Sequence, residues 1–321
     1  MKALAALTIV ARAVTVLLLS TFMITVLVRL LPGDPVDTLM PFATDEGRNQ
    51  LREELGLNLN VVEYYFRWLG KFVRGDFGQW YASTGDGGGV PISQMLALAL
   101  PRSLLLMLYT MVFSLAFALP LGIFLGYRAD SRVDRVISNA TFALSSIPSF
   151  ALGLSLVFVF GLKLNLLPVL GYVSFAESPS EHFKSMILPV VSLSIGLIAG
   201  FSRLLRVDTI ATLREDFVTM ASSKGLSDAW ILWRHVLRPS STTLMTSAAL
   251  QMGGLIGGAV VIEIIFALNG FGMLLNTAIA TRQYLAIQSL VALITVAFIV
   301  FNLIVNVLYA IVDPRVRTAS V

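Results

Sequence analysis

Apolar residues predominate in six stretches of this chain, at 9–31, 102–127, 136–162, 186–207, 243–267 and 288–311. Each stretch exceeds the roughly 20 residues a helix needs to cross a hydrocarbon core about 30 Å thick. The pattern predicts an all-α integral membrane protein with six transmembrane helices. The first run follows Lys2 and Arg12 and continues into Arg29 and Leu31-Pro32-Gly33-Asp34-Pro35 without a small-residue cleavage site, so it reads as a retained helix and not a signal peptide. The segment 32–101 interrupts the pattern. Within it, Glu53-Glu54-Leu55-Gly56-Leu57 and 61–72 read as helical, and Tyr64, Tyr65, Trp68 and Phe72 form an apolar face. Gly85-Asp86-Gly87-Gly88-Gly89 reads as a flexible joint, and 92–100 as an apolar helix too short to span. Two readings of this segment stand: a cap lying on its own bundle, or a docking platform for an external partner.

Composition agrees with the pattern. Of 321 residues 56% are hydrophobic and 13% charged, against about 25% charged in a soluble domain, and the mean hydropathy is +0.82. Disordered, collagen-like, disulfide-rich and nucleic-acid-binding classes are excluded. The net charge of +4 belongs to loops that orient the chain. Loops 128–135 and 203–240 carry nine cations (Arg128, Arg132, Arg135, Arg203, Arg206, Arg214, Lys224, Arg234 and Arg238), whereas 163–184 and 268–287 carry three (Lys163, Lys184 and Arg282). Both termini and the 203–240 loop are therefore expected in the cytosol, with 32–101 outside. The chain has no cysteine, and its two histidines, His182 and His235, fall in different loops, so thiolate chemistry and a multi-histidine metal site are excluded.

The richest local signal is the loop 213–240, LREDFVTMASSKGLSDAWILWRHVLRPS. Leu213, Phe217, Met220 and Ala221 recur at helical spacing and Gly225 interrupts them. Ser227 is a good N-cap, with Asp228 in the first turn behind it. Trp230, Trp233 and Leu237 share a side of a second helix, Arg234, His235 and Arg238 occupy its last turns, and Pro239 is expected to stop it. Two short amphipathic helices, 215–223 and 227–238, are thus expected on the cation-rich side. They suit either the headgroup plane or the groove of a soluble partner, where small Ala221 and Gly225 permit close approach and the aromatic residues anchor.

Within the spans, Glu263 lies four residues from the end of its run. A charge at mid-bilayer costs roughly 2.5–3.5 kcal/mol, so it faces protein or water. An interhelical hydrogen bond at an outer gate, substrate contact and a proton relay are the open roles. Gly253, Gly254, Gly257 and Gly258 form small-xxx-small pairs that pack helices within this chain or against a partner. Asn302 and Asn306, one turn apart, are placed for interhelical hydrogen bonds. Ser145, Ser146 and Pro148 mark a kink. A phosphate-cradling loop needs Gly-x-x-x-x-Gly-Lys and then Ser or Thr. Of the five lysines only Lys71 follows a glycine, and Phe72 comes next, so no such ATP site is present.

A set of motifs runs nearly end to end: Leu31-Pro32-Gly33-Asp34-Pro35, Leu55-Gly56-Leu57 with Tyr65 and Trp68, Gly75-Asp76-Phe77-Gly78, Ile147-Pro148-Ser149-Phe150, Leu167-Pro168 and Gly171-Tyr172. It continues through Ser202-Arg203-Leu204-Leu205-Arg206, residues 216–226, His235-Val236-Leu237-Arg238, Glu263 with Phe266, Gly270-Phe271-Gly272 and Asp313-Pro314-Arg315. On these residues the chain resembles the first of the two paired permease subunits of peptide-type ABC importers, which serve dipeptide, oligopeptide and nickel systems. The resemblance implies a type I importer permease fold: one permease domain over 1–321, with 32–101 an extracytoplasmic insertion and 208–240 a cytosolic coupling loop. It implies that Asp216, Phe217, Met220, Ala221, Lys224, Gly225, Leu226, Trp230 and Leu237 meet an ATPase, and that Glu263, Gly253, Gly257, Asn302 and Asn306 serve gating or packing. It also implies a second homologous permease, two cytosolic ABC ATPases that hold ATP and Mg, an extracytoplasmic substrate-binding protein, no cofactor on this chain, and a bacterial cytoplasmic membrane. Thr219 and Met220 stand where the general coupling motif has Glu and Ala, Ser223 replaces an alanine, Arg238 a proline, and Asn269 a proline before Gly270.

Peptides head the expected substrates, with nickel, haem and glutathione as alternatives. Two other classes compete. Asp130-Ser131-Arg132-Val133-Asp134 has the spacing of a Mg-diphosphate motif in membrane prenyltransferases, although arginines share its loop and internal salt bridges explain it as well. An autonomous secondary carrier would show internal repeats and several intramembrane charges, where this chain offers Glu263.

Overall fold

The computed structural model describes residues 2–30, 34–39, 44–81 and 89–312, except the side chains of 2–10, 258, 302 and 304–312. Leu31 to Gly33, most of the glycine joint, Asp313-Pro314-Arg315 and the side chains of Gly258, Asn302 and Asn306 lie outside the described set. In chain order the helices begin with α1 (Lys2–Arg29), α2 (Pro35–Leu39), α3 (Asp45–Glu54) and α4 (Val61–Val73). A strand pair follows, β1 (Gln79–Tyr81) antiparallel to β2 (Gly89–Pro91). Then come α5 (Ile92–Tyr127), α6 (Arg132–Ser145), α7 (Ser149–Leu156) with a π-helical end Val157–Lys163, and α8 (Pro179–Thr212). After α9 (Asp216–Ser223), α10 (Asp228–Trp230) leads through a π-helical turn Ile231–Val236 into α11 (Leu237–Ile265), followed by α12 (Phe271–Ala280) and α13 (Tyr284–Val312).

Among the described residues four helices are long and apolar enough to cross a membrane: Ala11–Arg29, Ile92–Tyr127, Pro179–Thr212 and Tyr284–Phe301. Two bent pairs bring the number to six if each is one span: Arg132–Ser145 with Ser149–Lys163, bent by 94°, and Asp228–Gly257 with Ala259–Ile265, bent by 49°. Three expectations change. The kink near Pro148 is a near right angle, because proline forces the preceding residue out of the helical region and Ser145 and Ser146 turn their hydroxyls onto the Phe142 carbonyl. The short helix at 92–100 is the start of α5, which runs through Pro101. Pro239 does not stop a helix: it falls in the first turn of α11, where the missing N–H is not needed, just after a widened π-helical turn.

The chain packs into two compact units, Met1–Arg102 with Asn269–Val300, and Ser103–Leu268 with Phe301–Val321. In the first, Val28, Ile92, Leu96, Phe271, Ala278, Tyr284, Ile287 and Leu290 form the main core. The aromatic face of α4 is used up by its own chain. The Tyr64 hydroxyl donates to Gln288 Oε1 (2.9 Å), whose Nε2 donates to Thr25 Oγ1 (2.7 Å). Trp68 Nε1 donates to Ser289 Oγ (3.1 Å), which donates to the Phe77 carbonyl (2.8 Å). Arg29 lies over the Tyr64 ring and donates to the carbonyls of Gly56 and Leu59. Burial pushes the Tyr64 phenol up to about 12, against the pull of Arg29, so it stays a donor at physiological pH. Gly56, at φ 64, ends α3 by turning Leu57 N–H back onto Arg52.

The second unit packs α8 against α6, α7 and α11, with Leu106, Met186, Ile262 and Phe266 in one core cluster and Met107, Phe201, Leu205 and Leu244 in another. Gly122 and Gly126 let α5 close onto α8. A β-carbon on Gly122 would lie 2.9 Å from the Ser202 carbonyl, and one on Gly126 2.6 Å from Thr209 Cβ. His182 is buried, its Nδ1 bonded to the Val173 carbonyl (2.7 Å) and its Nε2 to the Tyr109 hydroxyl (3.1 Å).

Candidate functional site

The loop after α8 folds back on itself as two arms. Leu213, Val218 and Ala221 on the first arm meet Ile231 and Val236 on the second, in a small core of their own. Ala221 is small because the second arm crosses there. The apolar stripe read from the sequence therefore divides: Ala221 turns inward, while Phe217 and Met220 stay exposed. Leu226, Trp230 and Trp233 are exposed as well, Trp230 at 56%. Asp216, Lys224 and Gly225 lie on the surface, and Leu237 packs against the core cluster around Leu205 and Leu244.

Gly225 sits at the turn with φ 77. Its N–H donates to the Ser222 carbonyl (2.9 Å), and Leu226 N–H to Ala221 (3.4 Å), the paired bonds that close a helix C-terminus on a left-handed residue. Beyond its two chain neighbours, no heavy atom among the described residues lies within 4 Å of where a β-carbon would be, so backbone conformation and not crowding selects glycine here. Ser227 caps the second arm by accepting from Trp230 N–H (3.4 Å). Gly225→Asn, which tolerates the left-handed region, is expected to preserve the loop, whereas Gly225→Val should destabilise it locally by about 1–2 kcal/mol. Amide hydrogen exchange across 216–226 measures this, with global melting unchanged.

The base of the loop is held at three points. Arg206 on α8 grips both carboxylate oxygens of Asp134 on α6, Nε to Oδ1 at 2.8 Å and Nη2 to Oδ2 at 2.6 Å. Asp134 also accepts from the Asp130 backbone N–H (2.9 Å) and Ser138 Oγ (3.1 Å), and is 2% exposed. The Tyr127 hydroxyl, at the end of α5, donates to Asp228 Oδ2 (2.6 Å). Ser240 Oγ on α11 donates to Thr212 Oγ1 (2.9 Å). The second aspartate of the DxxxD spacing thus closes an ion pair instead of facing a ligand. Arg206 and Asp134 form a cross-helix clamp that spacing did not reveal, since each lies in its own arginine-rich or aspartate-rich stretch.

At its other end α11 carries Glu263, 1% exposed, which accepts from Ser103 Oγ on α5 at 2.5 Å. This is an interhelical hydrogen bond between two of the candidate spans. After α11 the chain turns through Ala267 and Asn269, both with φ near 50°, which asparagine accepts and proline could not. Gly253 is buried and Gly257 exposed, with nothing within 4 Å of a β-carbon at Gly257. Among the described residues Gly122 and Gly126 do bring two helices close. Among the described residues no group of three or more His, Cys, Asp or Glu could hold a metal ion.

Residues 118–318 match the family described as binding-protein-dependent transport system inner membrane component. The chain is 32% identical to a probable peptide ABC transporter permease protein of Sinorhizobium fredii, covering 91% of this chain and 92% of that one. It is 32% identical to the oligopeptide transport system permease protein AppB of Bacillus subtilis (95% and 96%) and 31% identical to the glutathione transport system permease protein GsiC of Escherichia coli (90% and 91%). Among solved structures it resembles a chain of the inward-facing MetNI methionine ABC transporter, with a TM-score of 0.55 and 14% identity over 69% of this chain and 98% of that one, a likeness of fold.

Proposed function

The chain belongs to the family of inner membrane components of binding-protein-dependent transport systems, and on that premise we propose that it forms half of the translocation pathway of an ATP-driven importer of di- and oligopeptides, moved by a separate ATPase. The observation that carries the coupling role is the exposed knob of Phe217, Met220, Leu226 and Trp230 standing on a base fixed by Arg206–Asp134, Tyr127–Asp228 and Ser240–Thr212. A rigid base transmits force, and an unburied aromatic cluster is what a partner groove takes up. The chain carries no phosphate-cradling loop of its own.

In this reading the chain is one permease domain with both termini and the 208–240 loop in the cytosol and 32–101 outside. A related permease completes the pathway, two cytosolic ATPases bind ATP and Mg, and an extracytoplasmic binding protein delivers substrate. Closure of the ATPases drags the knobs together and shifts the bundle between inward-facing and outward-facing packings. Reversing a 1:99 bias takes about 5.5 kcal/mol of differential interaction. The Ser103–Glu263 bond and the Gly253/Gly257 stripe are the parts of α5 and α11 proposed to be remade in that exchange. Peptide is the substrate class favoured by the names of the relatives, and glutathione, itself a tripeptide, falls inside it.

Replacing Trp230 by Ala and Phe217 by Ser tests the coupling role. Both side chains are exposed, so detergent melting should not change, while ATPase recovery with the purified permease pair should fall by about 30-fold or more, the loss of a two-kcal/mol anchor. Undiminished recovery of ATPase and undiminished peptide-stimulated hydrolysis would refute it.

A further inference from the structure

Helix α4 has three faces, and one of them has no occupant in its own chain. At about 100° per residue, Tyr64, Tyr65, Trp68 and Phe72 share the face buried against α1 and α13. Val62, Phe66 and Val73 recur at i, i+4 and i+11 and form a second apolar stripe, rotated by about 125° from the first, while Leu69 at its edge is half-buried against the Tyr65–Trp68 cluster. Glu63, Arg67, Lys71 and Arg74 fill the remainder, three cations against one anion. Phe66 is 64% exposed and Val73 77%. A water-bathed helix has no use for that stripe.

Two observations identify what covers it. The first is continuity with a lipid-facing surface. The Phe66 ring packs edge-on to Tyr65 at 5.5 Å, Tyr65 packs edge-on to Phe22 at 5.2 Å, and the Tyr65 hydroxyl donates to the Leu18 carbonyl. Leu18 and Phe22 fall within the span Ala11–Arg29, Phe22 about two turns from its Arg29 end, and leave their own side chains exposed, as residues facing acyl chains do. The open stripe of α4 therefore extends a surface that already faces hydrocarbon. The second is charge: the polar third, on the far side of the stripe, is cationic, and long cationic side chains lie along apolar surface with their heads at the phosphate level.

We propose that α4 is an interfacial helix that seats Val62, Phe66 and Val73 in the acyl boundary of the leaflet beside α1 and holds anionic phospholipid headgroups with Arg67, Lys71 and Arg74. The inference needs only that α1 spans the membrane and is independent of the substrate. One consequence is that the outer segment is tied both to its own bundle, through Tyr64 and Trp68, and to the bilayer, through the second stripe.

The chain has no cysteine, so single cysteines can be labelled uniquely. The full chain is reconstituted in phosphatidylethanolamine–phosphatidylglycerol vesicles with an environment-sensitive fluorophore at Phe66→Cys or Val73→Cys. Controls are Leu19→Cys, an exposed site on α1, and Glu46→Cys, an exposed site on α3. The expected result is strong quenching at 66 and 73 by lipid nitroxides placed high on the acyl chain, with iodide quenching about fivefold weaker than at 46. Iodide access at 66 equal to that at 46, while 19 is quenched by lipid, overturns the proposal and leaves the span intact. Loss of lipid quenching at 19 as well overturns the span and the proposal together. Shielding at 66 that appears only on adding the extracytoplasmic binding protein makes the stripe a protein-docking face and also overturns it. In native mass spectrometry the triple variant R67Q/K71Q/R74Q should retain phosphatidylglycerol about tenfold less than the parent, at unchanged melting temperature. Equal retention overturns the headgroup contact.

Discussion

Gly126→Leu is expected to abolish accumulation of the folded protein in the membrane, and Gly126→Ala to lower its melting temperature in detergent by several degrees. The reason is distance. A single β-carbon at 126 would lie 2.6 Å from both Cβ and Cγ2 of Thr209 and 3.1 Å from the Arg206 carbonyl, and neither Thr209 Cβ, bonded directly to its Cα, nor the carbonyl is moved by a change of rotamer. Thr209 cannot swing away, so α5 and α8 must part. Separation would loosen the contact at Gly122 one turn earlier, where the Ser202 carbonyl stands in the way of a β-carbon, and would disturb the Arg206–Asp134 pair on the same stretch of α8. Overpacking by one methyl costs about 1–3 kcal/mol, and by a leucine more. Gly257→Leu is the control: beyond its own helix backbone, no atom of the described residues lies within 4 Å of a β-carbon there, so the subunit by itself should melt as the parent does. Normal accumulation of Gly126→Leu would show that the two helices are not held at this spacing.

The comparison of those glycines shows what the sequence could and could not disclose. Apolar runs of about 20 residues announced the spans, because length and composition alone decide whether a helix suits hydrocarbon. Which side of such a helix faces protein is another matter. A helix apolar all round has no periodicity to report it, so Gly257 looks equivalent on paper to Gly122 and Gly126, and of these three only the latter two meet a neighbouring backbone among the described residues. Prolines mislead for a related reason. Pro148 breaks its helix, while Pro101 and Pro239 lie within theirs; at Pro239 a preceding π-helical turn widens the backbone, and nothing in the structure explains the tolerance at Pro101. Strands of three residues and the ten-residue α12 are too short for any period to stand out.

The candidate site was legible in its punctuation and not in its depth. Ser227 as a cap and Gly225 as a break follow from local chemistry and hold in the structure. The stripe Leu213, Phe217, Met220, Ala221 did not disclose that Ala221 is turned inward, because Val218 beside it is equally apolar and the choice falls to whichever residues Ile231 and Val236 can cover. The aromatic face of α4 was visible in the same way, but its hydrogen bonds to Gln288 and Ser289 join residues more than 200 positions apart and leave no local trace.

Asp134→Ala is expected to destabilise the second unit by about 2–4 kcal/mol, because it strips the Arg206 guanidinium of both its acceptors while leaving its charge against α6. Arg206→Met should cost as much for the opposite reason: it leaves a 2%-exposed carboxylate with only the Asp130 N–H and Ser138 Oγ. The double variant D134L/R206M removes both charges and substitutes apolar side chains for them, and a pair replaced in this way loses little stability. Its melting temperature should therefore lie above that of either single variant, a coupling of about 2 kcal/mol in a double-mutant cycle. Function is expected to part from stability here. The clamp fixes the end of α8 from which the proposed coupling knob projects, and an apolar pair lacks the two-bond geometry that sets the direction of that end. The double variant should thus be stable and bind its ATPase, yet show weakened substrate-stimulated hydrolysis. A double variant as unstable as the singles would mean that the Asp130 and Ser138 contacts, and not the ion pair, hold α6 in place; full stimulation in a stable one would remove the clamp from the coupling route.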